Sequence, residues 1–129
     1  MSNSVVVVTG GSGGIGQALI KKYLQEGYFV ISADLENTTD LDDKKFSFLR
    51  CNVECENSIN NLFEFVLEKY SRIDYFFSNA GILSLGYENS SNLDWEKNWK
   101  LHLMSHVFVS RKLLPIFKTQ NFGYLLITA

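Results

Sequence analysis

The chain is short of several things that would direct its reading elsewhere. It carries two cysteines, two histidines and one proline in 129 residues. Cys51 and Cys55, with neither histidine near them in sequence, supply too few ligands for a structural metal site and read as reduced structural thiols. His102 and His106 stand four apart, where one helix face would carry both. Position 103 is Leu, so the glutamate of the H-E-x-x-H pattern is missing and no metal is expected. Charge of one sign is scarce as well. Twelve Lys+Arg against fourteen Asp+Glu leave a formal net charge of −2, which gives no basic field for nucleic acid or an acidic membrane. No apolar run approaches the roughly 18 residues of a membrane helix. Met1-Ser2-Asn3-Ser4 lacks the basic region of a secretory signal, so a cytoplasmic location is expected. No repeat, linker or low-complexity tract interrupts the chain. A hydrophobic fraction of 46% fits a globular protein with one domain over residues 1–129.

Glycine is present, and it is concentrated. Thr9-Gly10-Gly11-Ser12-Gly13-Gly14-Ile15-Gly16 directly follows the apolar run Val5-Val6-Val7-Val8. It directly precedes an amphipathic segment, residues 15–26, in which Ala18, Leu19, Tyr23 and Leu24 continue one apolar stripe. Strand, tight glycine turn and helix in that order make a phosphate cradle, because the opening helix offers unpaired N–H groups and the positive end of its dipole. The same glycines would also serve a tight turn with no ligand. Two dinucleotide spacings fit: G-x-G-x-x-G at Gly11, Gly13 and Gly16, and T-G-x-x-x-G-x-G at Thr9-Gly10, Gly14 and Gly16. Gly27 is placed to end the helix as a left-handed cap. A second strand, 28–33, then runs to Asp34, eighteen residues beyond Gly16 and close to the spacing of an acid that holds an adenosine ribose. A carboxylate there accepts from the ribose hydroxyls of NAD and repels the extra phosphate of NADP. Gly13, Leu35 and Glu36 offer no cation, and none follows until Lys44, so NAD is expected over NADP.

The rest of the chain alternates. Residues 36–45 are a polar, acidic surface loop with the turn Asn37-Thr38-Thr39-Asp40. A short strand is expected over 46–51. Ile59, Leu62, Phe63, Val66, Leu67 and Tyr70 make a helical stripe. A strand over 73–77 ends in Ser78-Asn79-Ala80-Gly81, and a loop runs from Ser84 to Asn92. A long helix is expected over 95–118, with Leu103, Val107, Ser110, Leu114 and Phe117 along one face and Pro115 ending or bending it. Gly123 precedes a last strand, 124–128. Alternation of this kind argues a doubly wound α/β fold: a parallel sheet with helices on both faces, five strands in the order 3-2-1-4-5. Ligands bind beyond the carboxyl ends of such strands, where the glycine turn, Asp34, Asn52-Val53 and Asn79-Ala80-Gly81 all fall.

Together these residues resemble the short-chain dehydrogenase/reductase family, across essentially the whole chain. The matching motifs are Thr9-Gly10-x-x-x-Gly14-Ile15-Gly16, the strand-end Asp34, Asn52-Val53, Asn79-Ala80-Gly81, and Leu113-Leu114-Pro115 followed by Gly123 to Thr128. The resemblance implies a Rossmann-like domain and hydride transfer between nicotinamide and an alcohol or carbonyl. It implies that the backbone from Ser12 through Gly13 and Gly14 to Ile15 cradles a pyrophosphate. Asp34, with Leu35 beside it, would meet the adenine ribose, Asn52-Val53 the adenine, and Asn79-Ala80-Gly81 the cofactor and the central strands.

The chain also departs from the family. Asn52 stands where the family usually has Asp, and its side-chain oxygen can still accept while its amide adds a donor. His102 stands where the family places a catalytic-support Asn that helps hold a water in a proton relay. The family's catalytic Ser follows the fifth strand and its Tyr-x-x-x-Lys lies further on. Tyrosines 23, 28, 70, 75, 87 and 124 have no lysine four residues later. Relative to the family the sheet is expected to be truncated after the fifth strand, and the 129 residues alone to be inactive. The apolar residues 125–127 then form an exposed edge, and that edge or helix 95–118 invites self-association. The expected function is the NAD-binding part of an oxidoreductase; a catalytically inactive nucleotide-binding or interaction module, or a gene remnant, is the alternative.

Overall fold

The computed structural model describes residues 3–82 and 86–128. The expected loop from Ser84 to Asn92 is therefore described only from Gly86 on; Ser84 and Leu85 lie outside the described residues.

The chain begins with β1 (Val5–Thr9), then α1 (Gly14–Gln25), β2 (Phe29–Asp34), β3 (Phe46–Arg50), α2 (Glu56–Tyr70) and β4 (Tyr75–Ser78). α3 (Asn92–Trp99), a π-helical turn (Lys100–Met104), α4 (Ser105–Gln120) and β5 (Tyr124–Ile127) follow. The five strands form one parallel sheet in the order β3-β2-β1-β4-β5. The order reverses at β1, which pairs β2 on one side and β4 on the other. That switch point is set by the sequence: β1 is a run of β-branched valines buried on both faces, which suits a central parallel strand.

Alternate side chains of β1 feed two cores. Val5 and Val7 join Ile31, Ile59, Leu62, Val66, Phe76, Val109 and Leu113 on the face covered by α2 and α4. Val6 and Val8 join Ile20, Tyr28, Val30 and Phe77 on the face covered by α1. The α2 stripe read from the sequence supplies the first of these, with Ile59, Leu62, Phe63 and Val66 buried. The ends of the elements follow local chemistry. Gly27 takes φ +87 just after α1, Ser71 closes α2 in the left-handed region, and Ser91 Oγ accepts the Asp94 N–H at the start of α3.

The long helix differs from the expectation in three ways. It starts earlier, at Asn92, because Ser91 caps it. A π turn interrupts it at Lys100–Met104. Pro115 does not end it, and α4 continues to Gln120. Pro115 and Arg111 are both exposed, so the Arg111 carbonyl that loses its N–H partner can be hydrated instead. The buried face of this helix is Leu101, Ser105, Val109 and Leu113. The expected stripe turns mostly outward: Leu103 is 41% and Leu114 48% exposed, and with His106, Val107, Ser110 and Arg111 they line a shallow surface groove.

Beyond β4 the α1 face of the sheet is thinly covered. Tyr75 stacks on Tyr124 at 5.5 Å, with Phe122 edge-on to both. In β5, Tyr124 is 55% and Ile127 50% exposed. Among the described residues no helix is long and apolar enough to cross a membrane.

Candidate functional site

The carboxyl ends of β1, β2, β3 and β4 open into one cleft of about 810 Å³, within the usual range for a small-molecule site. Its walls gather residues far apart in sequence. They include Gly10, Gly13, Gly14, Ile15 and Gly16; Asp34 and Leu35; Asn52 and Val53; Asn79, Ala80 and Gly81; and His102. Within the glycine turn, Thr9, Gly11 and Ser12 are not wall residues. The sequence reading missed Ala33, Cys51, Glu54, Ile82, Lys97, Leu101 and Thr128, which complete the lining. No linear motif marks these, because the fold alone brings them to the sheet's edge.

The glycine turn is built on backbone contact. Gly10 has φ +67, and a Cβ there would come within 2.7 Å of the Ala80 Cα. A Cβ on Gly16 would overlap the Gly10 carbonyl oxygen and meet the Gly11 Cα at 2.7 Å. Gly11 likewise packs its backbone on Ser32. Gly13 and Gly14 are different. A Cβ on Gly13 would have an ordinary contact at 3.6 Å, and one on Gly14 would have nothing within 4 Å. Nothing inside the protein needs these two to be glycine, and both face the cleft. α1 starts at Gly14 with no side-chain cap. Its first N–H groups are the donors that an anion would complete.

Thr9 couples the turn to the far side of the cleft. Its buried hydroxyl accepts the N–H of Asn79 at 2.9 Å and of Ala80 at 3.2 Å. Asn79 Oδ1 accepts from Thr128 Oγ1 at 2.8 Å, so one residue joins the ends of β1, β4 and β5.

Asp34 is oriented rather than free. Its Oδ2 accepts the Ser12 N–H at 3.0 Å and its Oδ1 the Leu35 N–H at 2.7 Å. A carboxylate has about four acceptor positions, so capacity remains for ribose hydroxyls. Arg50, which pairs with Asp34 in register, places Nη1 3.2 Å from the Leu35 carbonyl. The sequence counted cations along the loop and so missed this one, which arrives from the neighbouring strand. Asn52 Oδ1 accepts the Glu54 N–H at 3.1 Å. That oxygen is already engaged in the local turn, which leaves the amide N–H groups as the freer side of Asn52.

His102 sits in the π turn with Nε2 3.0 Å from the Ile82 carbonyl. Its ring lies against Gly81, where a Cβ would stand 2.9 Å from Cε1. His106, one turn on, bonds Ser78 Oγ through Nδ1 at 2.6 Å. The two imidazoles thus have separate partners. Burial, with His102 nearby, holds the His106 pKa below its ordinary value of 6.5. Burial raises the Cys51 thiol, the Ser58 side chain opposing it.

Residues 4–129 match the family described as short chain dehydrogenase. Short-chain dehydrogenase reductase 4 of Arabidopsis thaliana is 32% identical over 89 residues, covering 64% of this chain and 30% of that protein. Post-translational flagellin modification protein A of Campylobacter coli is 28% identical over 137 residues, covering 95% of this chain and 54% of that protein. A short-chain dehydrogenase of Streptomyces avermitilis superposes with TM-score 0.89 at 26% identity, over 96% of this chain and 48% of that one. One of Leptospira borgpetersenii with bound NAD+ superposes with TM-score 0.88 at 23% identity, over 96% and 50%. The chain spans about half the length of these structures. A glycine turn, strand-end acid and Asn-Ala-Gly triplet on a 3-2-1-4-5 sheet agree with a family match over nearly every residue, and the chain belongs to the short chain dehydrogenase family.

Proposed function

We propose that this chain holds a nicotinamide dinucleotide, NAD in preference to NADP, for an oxidoreductase that moves a hydride to or from an alcohol or carbonyl substrate. The observation that carries the reading is the placement of Gly13 and Gly14. They are glycines that no internal contact requires, at an uncapped helix start, in the middle of the cleft. A backbone that must let a pyrophosphate approach needs that arrangement.

The sheet order supports the rest of the reading. Asp34 and Asn52 lie on the β2–β3 side of the glycine turn, and Asn79, Ala80, Gly81 and His102 on the β4 side. The adenosine half would rest on the first side, with Asp34 accepting from the ribose and Val53 beside the adenine. The nicotinamide half would extend over the second side. When bound, the cofactor supplies or takes the hydride; these side chains hold and orient it. His102, anchored on the Ile82 carbonyl, would position a proton-carrying group at that end. None of the six tyrosines has a lysine four residues on, so these 129 residues alone are expected to bind the dinucleotide without turnover.

Calorimetric titration of the chain with NAD+, NADH and NADP+ tests this. Binding of NAD+ and NADH, with NADP+ at least about tenfold weaker, is expected. Absence of binding by every dinucleotide overturns the reading. The outer face of α4 and the β5 edge also support self-association, and a monodisperse monomer in sedimentation velocity counts against that part.

A further inference from the structure

We infer that Cys51 and Cys55 are an oxidisable thiol pair: a hydroperoxide converts them to a disulfide that reshapes the β3 wall of the cleft. The consequence for cofactor binding rests on the dinucleotide reading above; the disulfide itself does not.

The chain's two cysteines stand at the two ends of one tight turn. Cys51 follows β3, where its N–H donates to the Asp34 carbonyl at 2.9 Å. It is 2% exposed and forms part of the cleft wall with Asn52, Val53 and Glu54. Cys55 is exposed, lies outside that wall and is the N-cap residue of α2. The Cys55 N–H donates to the Asn52 carbonyl at 3.0 Å, a turn that folds the chain back and draws its ends together. Cys51 Sγ donates to the Ser58 carbonyl at 3.7 Å, so that sulfur already rests on the first turn of the helix that Cys55 opens. Burial is the main cause of the raised Cys51 thiol, and the Cys55 charge adds to it, which puts the two sulfurs within electrostatic reach. Neither packing nor capping explains a thiol at position 55. Its side chain gives α2 no cap hydrogen bond, where Ser, Thr, Asp or Asn would.

An exposed thiol beside a second, resolving thiol is the arrangement that peroxides oxidise to a disulfide. The Cys55 thiolate attacks one oxygen of the hydroperoxide. An S–O bond forms, the O–O bond breaks, and the other oxygen leaves with a proton as water or an alcohol. Cys55 is thereby oxidised by two electrons to a sulfenic acid, and the peroxide is reduced. The Cys51 thiolate then attacks Cys55 Sγ. The S–S bond forms, the S–O bond breaks, and the hydroxyl leaves with a proton as water. To reach Cys55, Cys51 Sγ must leave the Ser58 carbonyl, and the span from Asn52 to Glu54 must follow. Val53 packs in the same core cluster as Cys51, and the Asn52 N–H donates to Ser58 Oγ at 2.9 Å, so the wall cannot stay as it is. Asn52 and Val53 are where the adenosine would rest. The oxidised chain should therefore bind NAD+ more weakly, and bound NAD+ should oppose the disulfide by the same factor.

The test treats the chain with hydrogen peroxide. It reads the iodoacetamide-reactive thiols after denaturation, the mass spectrum of an unreduced digest, and NAD+ affinity by calorimetry. The wild type should lose both thiols to a Cys51–Cys55 link within one chain, and NAD+ affinity should fall at least about tenfold. Dithiothreitol should restore both, which it would not do after methionine oxidation. Cys55→Ser places a good N-cap residue at an exposed site outside the cleft. It should fold, bind NAD+ as the wild type does and keep that affinity after peroxide. Cys51→Ala should stop at a sulfenic acid on Cys55 that dimedone traps. A wild type that stops at an oxidised Cys55, or that links only between chains, overturns the inference. A Cys51–Cys55 link that leaves NAD+ affinity unchanged overturns its effect on the cleft. Failure of the reduced wild type to bind NAD+ removes the dinucleotide reading, while the mass spectrum still decides the disulfide.

Discussion

Replacing Gly14 by Ala separates a ligand cradle from an ordinary tight turn. Gly14 is the first residue of α1, it has no positive φ, and a Cβ there meets nothing within 4 Å. In the folded protein the methyl is accommodated without strain. In the unfolded chain it removes backbone freedom, so the substitution should stabilise by about 0.5 kcal/mol. For a domain of this size that raises Tm by about 2 °C. The methyl also stands in the cleft where a pyrophosphate would come closest, so NAD+ affinity should fall at least about tenfold. At NAD+ equal to 100 times the wild-type Kd, ligand adds about 2.7 kcal/mol to the wild type, and a tenfold loss cuts that to about 1.4. Gly16→Ala is the internal contrast. Its Cβ would overlap backbone atoms of Gly10 and Gly11 rather than a flexible side chain, so the turn must shift, at a cost of about 2 kcal/mol. Urea unfolding of the three proteins with and without NAD+ reads all of these values. A Gly14→Ala protein that keeps the full NAD+ increment, or that loses stability like Gly16→Ala, refutes the cradle.

Three further outcomes follow from the structure. Asp74 is wholly buried, accepts the Val5 N–H at 2.8 Å and is forked by Arg72 at 2.6 and 2.9 Å; Asp74→Ala leaves that N–H without its acceptor and should cost about 2 kcal/mol in urea unfolding, with Asp74→Asn costing less. Pro115 sits exposed inside α4 without an N–H to give the Arg111 carbonyl, so Pro115→Ala should stabilise by about 1 kcal/mol or more, read as a rise in Tm. The His106 pKa is lowered by burial, so below pH 6.5 the unfolded chain takes up a proton that the folded one resists; stability should fall as pH drops from 6.5 toward the folded value and level off below it. His106→Gln should flatten that part of the stability–pH curve, and an unchanged slope would show that His106 does not supply it.

The sequence determined the fold's plan because period and punctuation are local. Four valines before a glycine turn, a helix stripe ending at Gly27, and a strand ending in Asp34 are legible one window at a time. Their alternation admits few topologies, and the 3-2-1-4-5 order is among them. The glycine turn, Asp34 and the Asn-Ala-Gly triplet could be placed at one edge because strand ends in such a sheet converge. Tertiary structure decided what depends on neighbours that are distant in sequence. The long helix carries two stripes of helical spacing, 101-105-109-113 and 103-107-110-114. Only packing against the sheet and α2 chose the first as buried. The exposure of Pro115 let a helix run through a residue that usually stops one. Arg50 lies sixteen residues from Asp34 in the chain and directly beside it in the sheet, so no reading along the loop could count it. Ser12 looked like one more residue of a phosphate cradle. The folded chain instead tied it to neighbours, with hydrogen bonds to Asp34, Glu36, Thr38 and Gln17.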